Sequence, residues 1–294
     1  MKSFKDTLAS EDFIITSEIG PPKGVNCEKM LHHIELLKEK VHAMNVTDNQ
    51  SSVMRLSSLA ACHIIKEKGA EPILQMTCRD RNRMALQSDL LSAYVLGIRN
   101  VLCLTGDHIG LGDHKGAKQV FDLDSVQLIS AVKTLQEGKD LGGNTLDGAP
   151  SFCIGATATP EAENFDLHIL KVRKKIEAGA EFFQTQAVYD ISALKRFVES
   201  VKDVGDVKVL AGILVLFSPG MIRYLNENVA GVNVPDNLLE EMKATPKEER
   251  IKKGVEIAAR QIKEIKEGRI ADGVHIMAIG KEEVVVDILK ETGL

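Results

Sequence analysis

Two carboxylic acids, Glu18 and Asp107, stand just past short apolar runs of this chain. Neutral hydrogen-bonding residues stand at the ends of the other runs: Thr47 beside the acid Asp48, Gln75 and Thr77, Thr157 and Thr159, Gln186 and Tyr189, and Ser218. A few acids among many amides and hydroxyls suit proton transfer, or the holding of a polar cofactor, better than metal or nucleophile chemistry. Zinc would need three or four Cys, His or carboxylate ligands, and His108 with His114 on a glycine-rich loop offers only a pair, so no metal site is expected. No Gly-x-Ser-x-Gly elbow is present to make a serine nucleophile. Gly106, Gly110, Gly112 and Gly116 leave one other chemistry open, a loop of backbone amides cradling a phosphate, as in a lyase or synthase.

These residues act together only if the chain gathers them. Apolar runs bounded by turn residues fall at about 13–17, 42–46, 72–77, 100–105, 151–156, 181–186, 208–215 and 273–279, giving eight strand candidates. They are rich in Ile, Val, Leu and Phe rather than alternating with charges, which suits parallel strands covered on both faces. Between them lie helical spacings such as Met30, Leu31, Ile34, Leu37 and Val41, or Phe165, Ile169, Val172 and Ile176. Gly69, Gly97 and Gly179 follow three of these helices where a left-handed residue ends a helix.

The repeating order of strand, polar loop, helix and glycine predicts an α/β chain folded as a (β/α)8 TIM barrel, with a doubly wound open sheet as the alternative. No Gly-x-Gly-x-x-Gly follows the first strand. Residues 1–294 read as a single barrel domain. A helical insertion is expected at about 235–267 between strands seven and eight, and a loop at 138–150. In such a barrel the strand ends converge on one mouth, so the polar residues above would meet there.

Composition narrows the ligand. With 44% hydrophobic residues the chain can bury one large core, and a net charge of -5 gives no footprint for nucleic acid or an anionic membrane. Five cysteines without a Cys-x-x-Cys pair indicate neither a disulfide framework, a zinc ribbon nor an iron-sulfur cluster. No run approaches the roughly 20 apolar residues of a membrane span, so a cytoplasmic protein acting on a small soluble ligand is expected.

Six blocks then carry a family likeness: Ser17-Glu18-Ile19-Gly20-Pro21-Pro22, Asn45-Val46-Thr47-Asp48, Gln75-Met76-Thr77-Cys78, Leu104-Thr105-Gly106-Asp107, Phe183-Gln184-Thr185-Gln186 and Gly273-Val274-His275. In this order, across nearly the entire chain, they resemble the blocks of methylenetetrahydrofolate reductases of the short bacterial type. The resemblance implies a flavin across the barrel mouth and a ping-pong reaction. A donor reduces the flavin, and flavin N5 passes hydride to the methylene carbon of 5,10-methylenetetrahydrofolate, giving 5-methyltetrahydrofolate for one-carbon metabolism and methionine biosynthesis. FAD is the family's expected form and FMN stays open. The donor is left open between NAD(P)H and an electron-transfer partner subunit, as is a homo-oligomer. A non-catalytic folate-binding subunit of a larger complex is the reading from outside enzymology.

The same resemblance assigns roles. Opening the folate five-membered ring requires a proton on N10, which a carboxylic acid of raised pKa supplies, and Glu18 stands at the family's acid. Asp107 matches an acid near both flavin and pterin, the second catalytic candidate, which tunes the reduced flavin and helps hold the substrate. Gln186 and Met277 fall on folate-contacting positions, together with Glu18 and Asp107. Thr47, Gln75, Gly106, Asp107, Phe121, Asp122, Ala156 and Lys175 fall on flavin-contacting positions. The match departs at Gln75, where many members have histidine, and at His168, where an acid commonly meets the cofactor ribose. It departs also at Ile154–Glu161, which lacks that loop's tyrosine and histidine, and at Phe217-Ser218-Pro219, which replaces a stacking aromatic.

Overall fold

Side chains of a strand point alternately to its two faces, and here both faces are covered, which is why the runs read as continuously apolar. In the computed structural model, which describes residues 2–294, eight parallel strands pair in sequence order. They are β1 (Ile14–Ile19), β2 (Ala43–Val46), β3 (Pro72–Thr77), β4 (Asn100–Leu104), β5 (Cys153–Ala158), β6 (Phe182–Ala187), β7 (Lys208–Leu214) and β8 (Gly273–Met277). β8 pairs with β1 and closes the barrel.

The expected strand boundaries agree with the observed ones to within two residues. The difference matters at β1. Its apolar run ends at Ser17, yet the strand continues to Ile19, so Glu18 lies inside the strand in register with Asn45 of β2 rather than in the loop after it.

The helices are α1 (Phe4–Ser10), α2 (Glu28–Leu37), α3 (Ser58–Glu67), α4 (Arg83–Val95), α5 (Ser125–Gln136), α6 (Phe165–Ala178), α7 (Ile191–Lys202), α8 (Pro219–Asn228), α9 (Asp236–Ala244), α10 (Arg250–Glu267) and α11 (Val284–Thr292). α2 to α7 each follow one strand, while α8, α9 and α10 all lie between β7 and β8. Local chemistry sets several ends: Asp124 and Gln127 form a reciprocal capping box on α5, and Gly179 closes α6 at φ 118. No helix among the described residues is long and apolar enough to cross a membrane.

The barrel interior is stacked in layers. α1 precedes β1 and places Phe4 and Leu8 under the barrel among Ile14, Ala43, Ile73, Leu102, Cys153, Phe182 and Leu210. Phe4 meets the Phe182 ring edge-on at 5.4 Å. Phe182 fits because β5 has a glycine beside it: a Cβ on Gly155 would sit 2.2 Å from the ring. Above this plug lies a polar layer. Gln184 and Asn45 exchange two amide hydrogen bonds (2.6 and 2.9 Å), Gln184 Nε2 donates to Thr16 Oγ1 (3.2 Å), and that hydroxyl lies 3.0 Å from His275 Nδ1. The layer uses four strands to form a floor in which the Thr16 hydroxyl and both amides are partnered, and the mouth opens above it.

Candidate active site

Glu18 stands on this floor, 7% exposed. Burial is the main cause that pushes its carboxyl from the ordinary 4.5 up to about 7. A hydrogen bond from Gln50 Nε2 to Oε1 (3.2 Å) opposes the rise, and the negative charge of Glu282 adds to it. The other oxygen, Oε2, lies 4.0 Å from His275 Nε2, beyond hydrogen-bonding distance. Burial pushes His275 down to about 3, so the ring is neutral and brings no positive charge to hold the carboxylate ionised. The result is an acid that holds its proton well above the ordinary carboxylate range, on a strand facing the mouth.

The mouth is a cavity of about 370 Å³, near the lower end of small-ligand sites. Of the residues singled out in the sequence, Glu18, Gln75, Gly106, Asp107, Lys175, Gln186 and Met277 line it, joined by Asp48, Thr77, Thr157 and Thr159. Asp48 accepts hydrogen bonds from the Thr77 backbone N–H and hydroxyl (2.9 Å each) and pairs with Arg81, so it fastens β2 to β3. Gln75 and Gln186 have no side-chain hydrogen bond to protein among the described residues. Lys175, on α6, donates to Thr157 O at 2.7 Å and meets no carboxylate at ion-pair distance among the described residues. Burial pushes its amine down to about 8.

Other expected residues are not brought there. Thr47 is 2% exposed at the end of β2, outside the cavity lining, and its hydroxyl has no partner. Ala156 is fully buried in the layer between strands and helices, because alternation along β5 turns it outward. Phe121 packs against that outer core, and Asp122 is taken up by the Arg83 backbone N–H and guanidinium, which hold it down to about 2. Tyr189 donates to Leu214 O, Ser218 caps α8, and His168 Nε2 accepts from Thr159 N–H. The four glycines do not form a cradle. Only Gly106 lines the cavity, at φ 96, whereas Gly112 is packed so closely that a Cβ would lie 1.8 Å from Ser52 O.

Gln50, Arg79, Thr105, Gln184 and His275, with no role expected for them from the sequence, also line the cavity. Gln184 and His275 had a usable signal, being inward-facing polar residues two positions from strand-end residues already chosen. Behind Glu18, Glu282 is met by His33 Nδ1 at 3.0 Å, and His33 Nε2 faces Glu283 at 3.3 Å. These three are the one group with metal-ligating spacing among the described residues, and none of them lines the cavity.

The model of the family described as Methylenetetrahydrofolate reductase matches residues 3–293. The chain belongs to the methylenetetrahydrofolate reductase family. A relative described as "Probable methylenetetrahydrofolate reductase (NADPH)" from Caenorhabditis elegans is 22% identical, over 94% of this chain and 42% of that protein. The 5,10-methylenetetrahydrofolate reductase of Buchnera aphidicola subsp. Schizaphis graminum is also 22% identical, over 94% of this chain and 91% of that one. The chain therefore spans less than half of the longer relative and nearly all of the shorter. Among solved structures, an uncharacterized protein from Clostridium thermocellum that binds two copies of 5-methyl-5,6,7,8-tetrahydrofolic acid superposes with a TM-score of 0.67 at 18% identity, covering 98% of this chain and 96% of that one. At that identity the likeness is one of fold.

Proposed function

We propose that this chain is a flavin-dependent 5,10-methylenetetrahydrofolate reductase in which Glu18 is the general acid. The observation that carries the reading is Glu18 itself: a carboxyl buried on an inward strand position at a barrel mouth, its proton held by burial well above the ordinary carboxylate range, in a chain of this family. The mouth suits a flavin. Two amides, Gln75 and Gln186, are free to donate and accept at a heteroaromatic edge, and Lys175 is a half-buried cation without a carboxylate partner, as a phosphate-bearing group requires. The Thr47 hydroxyl at the end of β2, outside the cavity lining, is also buried without a partner.

When bound, the flavin supplies hydride to the folate methylene carbon. The chain's own part is acid-base and positional. Glu18 gives its proton to N10 as the C–N bond opens, leaving a carboxylate that is reprotonated from solvent before the next turnover. Gln186 and Met277 border the space above Glu18, and the hydrogen-bonded floor of Thr16, Asn45, Gln184 and His275 keeps the ligand at the mouth.

Glu18→Gln tests the reading because an amide keeps the shape and loses the acid. Purified protein is expected to be yellow, and the variant to keep both pigment and its bleaching by NAD(P)H or dithionite, while added methylenetetrahydrofolate no longer restores the colour. A variant that restores colour at the wild-type rate removes Glu18 from the acid role, and a protein that takes up no flavin ends the proposal. In the wild type the substrate-dependent step should slow as pH rises through 7, because the protonated form is the active one.

A further inference from the structure

The turn after β2 is built against the usual preferences of its residues. Asn49, Ser51 and Ser52 all occupy the left-handed region, at φ 46, 54 and 57, although none is glycine. Backbone held this way persists only where its surroundings fix it, and such strain gathers at functional sites. The fixing groups are visible. Ser51 N–H donates to Asp107 Oδ2 (3.1 Å), and the Ser52 hydroxyl lies 3.2 Å from Asp107 O and 3.1 Å from His108 O. From below, Arg79, 1% exposed, reaches Ser52 Oγ at 3.1 Å and Asn49 O at 3.3 Å, its own charge being met by Asp80. The one residue of the turn without left-handed backbone is Gln50, and it is the residue whose amide reaches Glu18.

We infer that residues 49–52 form a bracket through which Asp107, on the far side of the mouth, sets the position of Gln50 and thereby the state of Glu18. Asp107 is then a positioning residue for the acid, and Gln50 is the group that acts on it. The inference deepens the proposed function and rests on it for the importance of Glu18, but the coupling is testable on protein without flavin or folate. The other groups facing Glu18 are His275 on β8, Glu282 after β8 and the neutral Asn45 on β2, and none of them belongs to the bracket.

The bracket and a simple field effect predict opposite signs. A negative charge at Asp107 acting through space would raise the Glu18 midpoint, so Asp107→Ala and Asp107→Asn would both lower it. If Asp107 works by holding Ser51, Asp107→Ala loosens Gln50, removes the hydrogen bond that favours the carboxylate, and raises the midpoint by about one pH unit. Asp107→Asn keeps an acceptor for Ser51 N–H and leaves it nearly unchanged. Gln50→Met should raise it as Asp107→Ala does, and the double variant should go no further, since both remove one interaction.

The measurement is a pH titration of the ligand-free protein labelled with 13C at the glutamate side-chain carboxyl, followed by NMR, with Glu18→Gln identifying the signal. Amide hydrogen exchange at residues 49–52 reports whether the turn has loosened. Additive shifts, a lowered midpoint in Asp107→Ala, or an unmoved midpoint despite faster exchange would each overturn the bracket. A failure of the acid role alone would appear elsewhere, as normal colour recovery in Glu18→Gln with the coupled shifts intact.

Discussion

The two ends of the barrel solve opposite problems. At the N-terminal end the interior is filled by Phe4, Leu8, Ile14, Ile73, Phe182 and Leu210, with Gly155 leaving room for a ring. At the C-terminal end the same inward positions two and four residues later carry Thr16 and Glu18, Gln75 and Thr77, Gln184 and Gln186, His275 and Met277. One end is held by shape, the other by hydrogen bonds that interlock the Thr16, Asn45 and Gln184 side chains of the floor and leave Gln75 and Gln186 at the mouth without protein partners. The strand register makes this possible, since an inward residue stays inward and only its height along the strand decides whether it serves packing or chemistry.

The comparison breaks most visibly at the plug. Phe182→Ala empties the space between α1, Gly155 and the barrel wall and should cost about 3–5 kcal/mol of stability, read from denaturant unfolding. The Glu18 titration should stay where it is, because the polar floor separates the two. A loss below about 1 kcal/mol would mean that α1 does not plug the barrel, and a shifted Glu18 midpoint would mean that the layers are not independent.

The strands were legible in advance because burial on both faces leaves a strong apolar signal, whereas the α1 plug was not, since Phe4 and Leu8 alone mark no long apolar stripe. The inward polar positions were harder: an apolar run stops at the first polar residue, so Glu18 was placed after a strand that in fact contains it. The bracket was not legible. Asn and Ser tolerate left-handed backbone without requiring it, and Arg79 looks like a surface arginine until its burial is seen. Ala156, Phe121 and Asp122 show the converse, since likeness of position told nothing of whether the side chain turns toward the mouth or the helices.

At the mouth, removing the chemistry should strengthen the fold. The folded-state midpoint of Glu18 is raised from 4.5 to about 7, so the folded chain keeps a proton that the unfolded chain gives up over that interval. Its contribution is present below about pH 4.5, and stability falls as pH rises through 7. At about 1.4 kcal/mol for each pH unit, the decline amounts to roughly 3 kcal/mol. Glu18→Gln escapes it. Unfolding free energies at pH 5 and 8.5 should show the variant gaining on the wild type by most of that amount at the higher pH, and parallel pH dependence in the two proteins would show that burial does not hold the acid protonated.

The smallest effect is expected at Lys175, and it sharpens what the mouth is for. A lysine whose amine reaches only the Thr157 carbonyl, and which burial lowers to about 8, sits in its charged form poorly compensated until an anion arrives. Flavin phosphate would complete it. FMN and FAD affinity, measured by fluorescence titration of stripped protein, should then fall as pH rises above 8, where the free amine loses its proton. Lys175→Met should weaken binding about tenfold at pH 7, some 1.4 kcal/mol, and abolish that pH dependence. Lys174→Met, on the exposed side of α6, is the control and should leave both unchanged. Equal affinities for wild type and Lys175→Met from pH 6 to 9.5 would show that no cofactor anion lies against this amine. The incompleteness of the mouth's hydrogen bonding would then need another ligand to explain it.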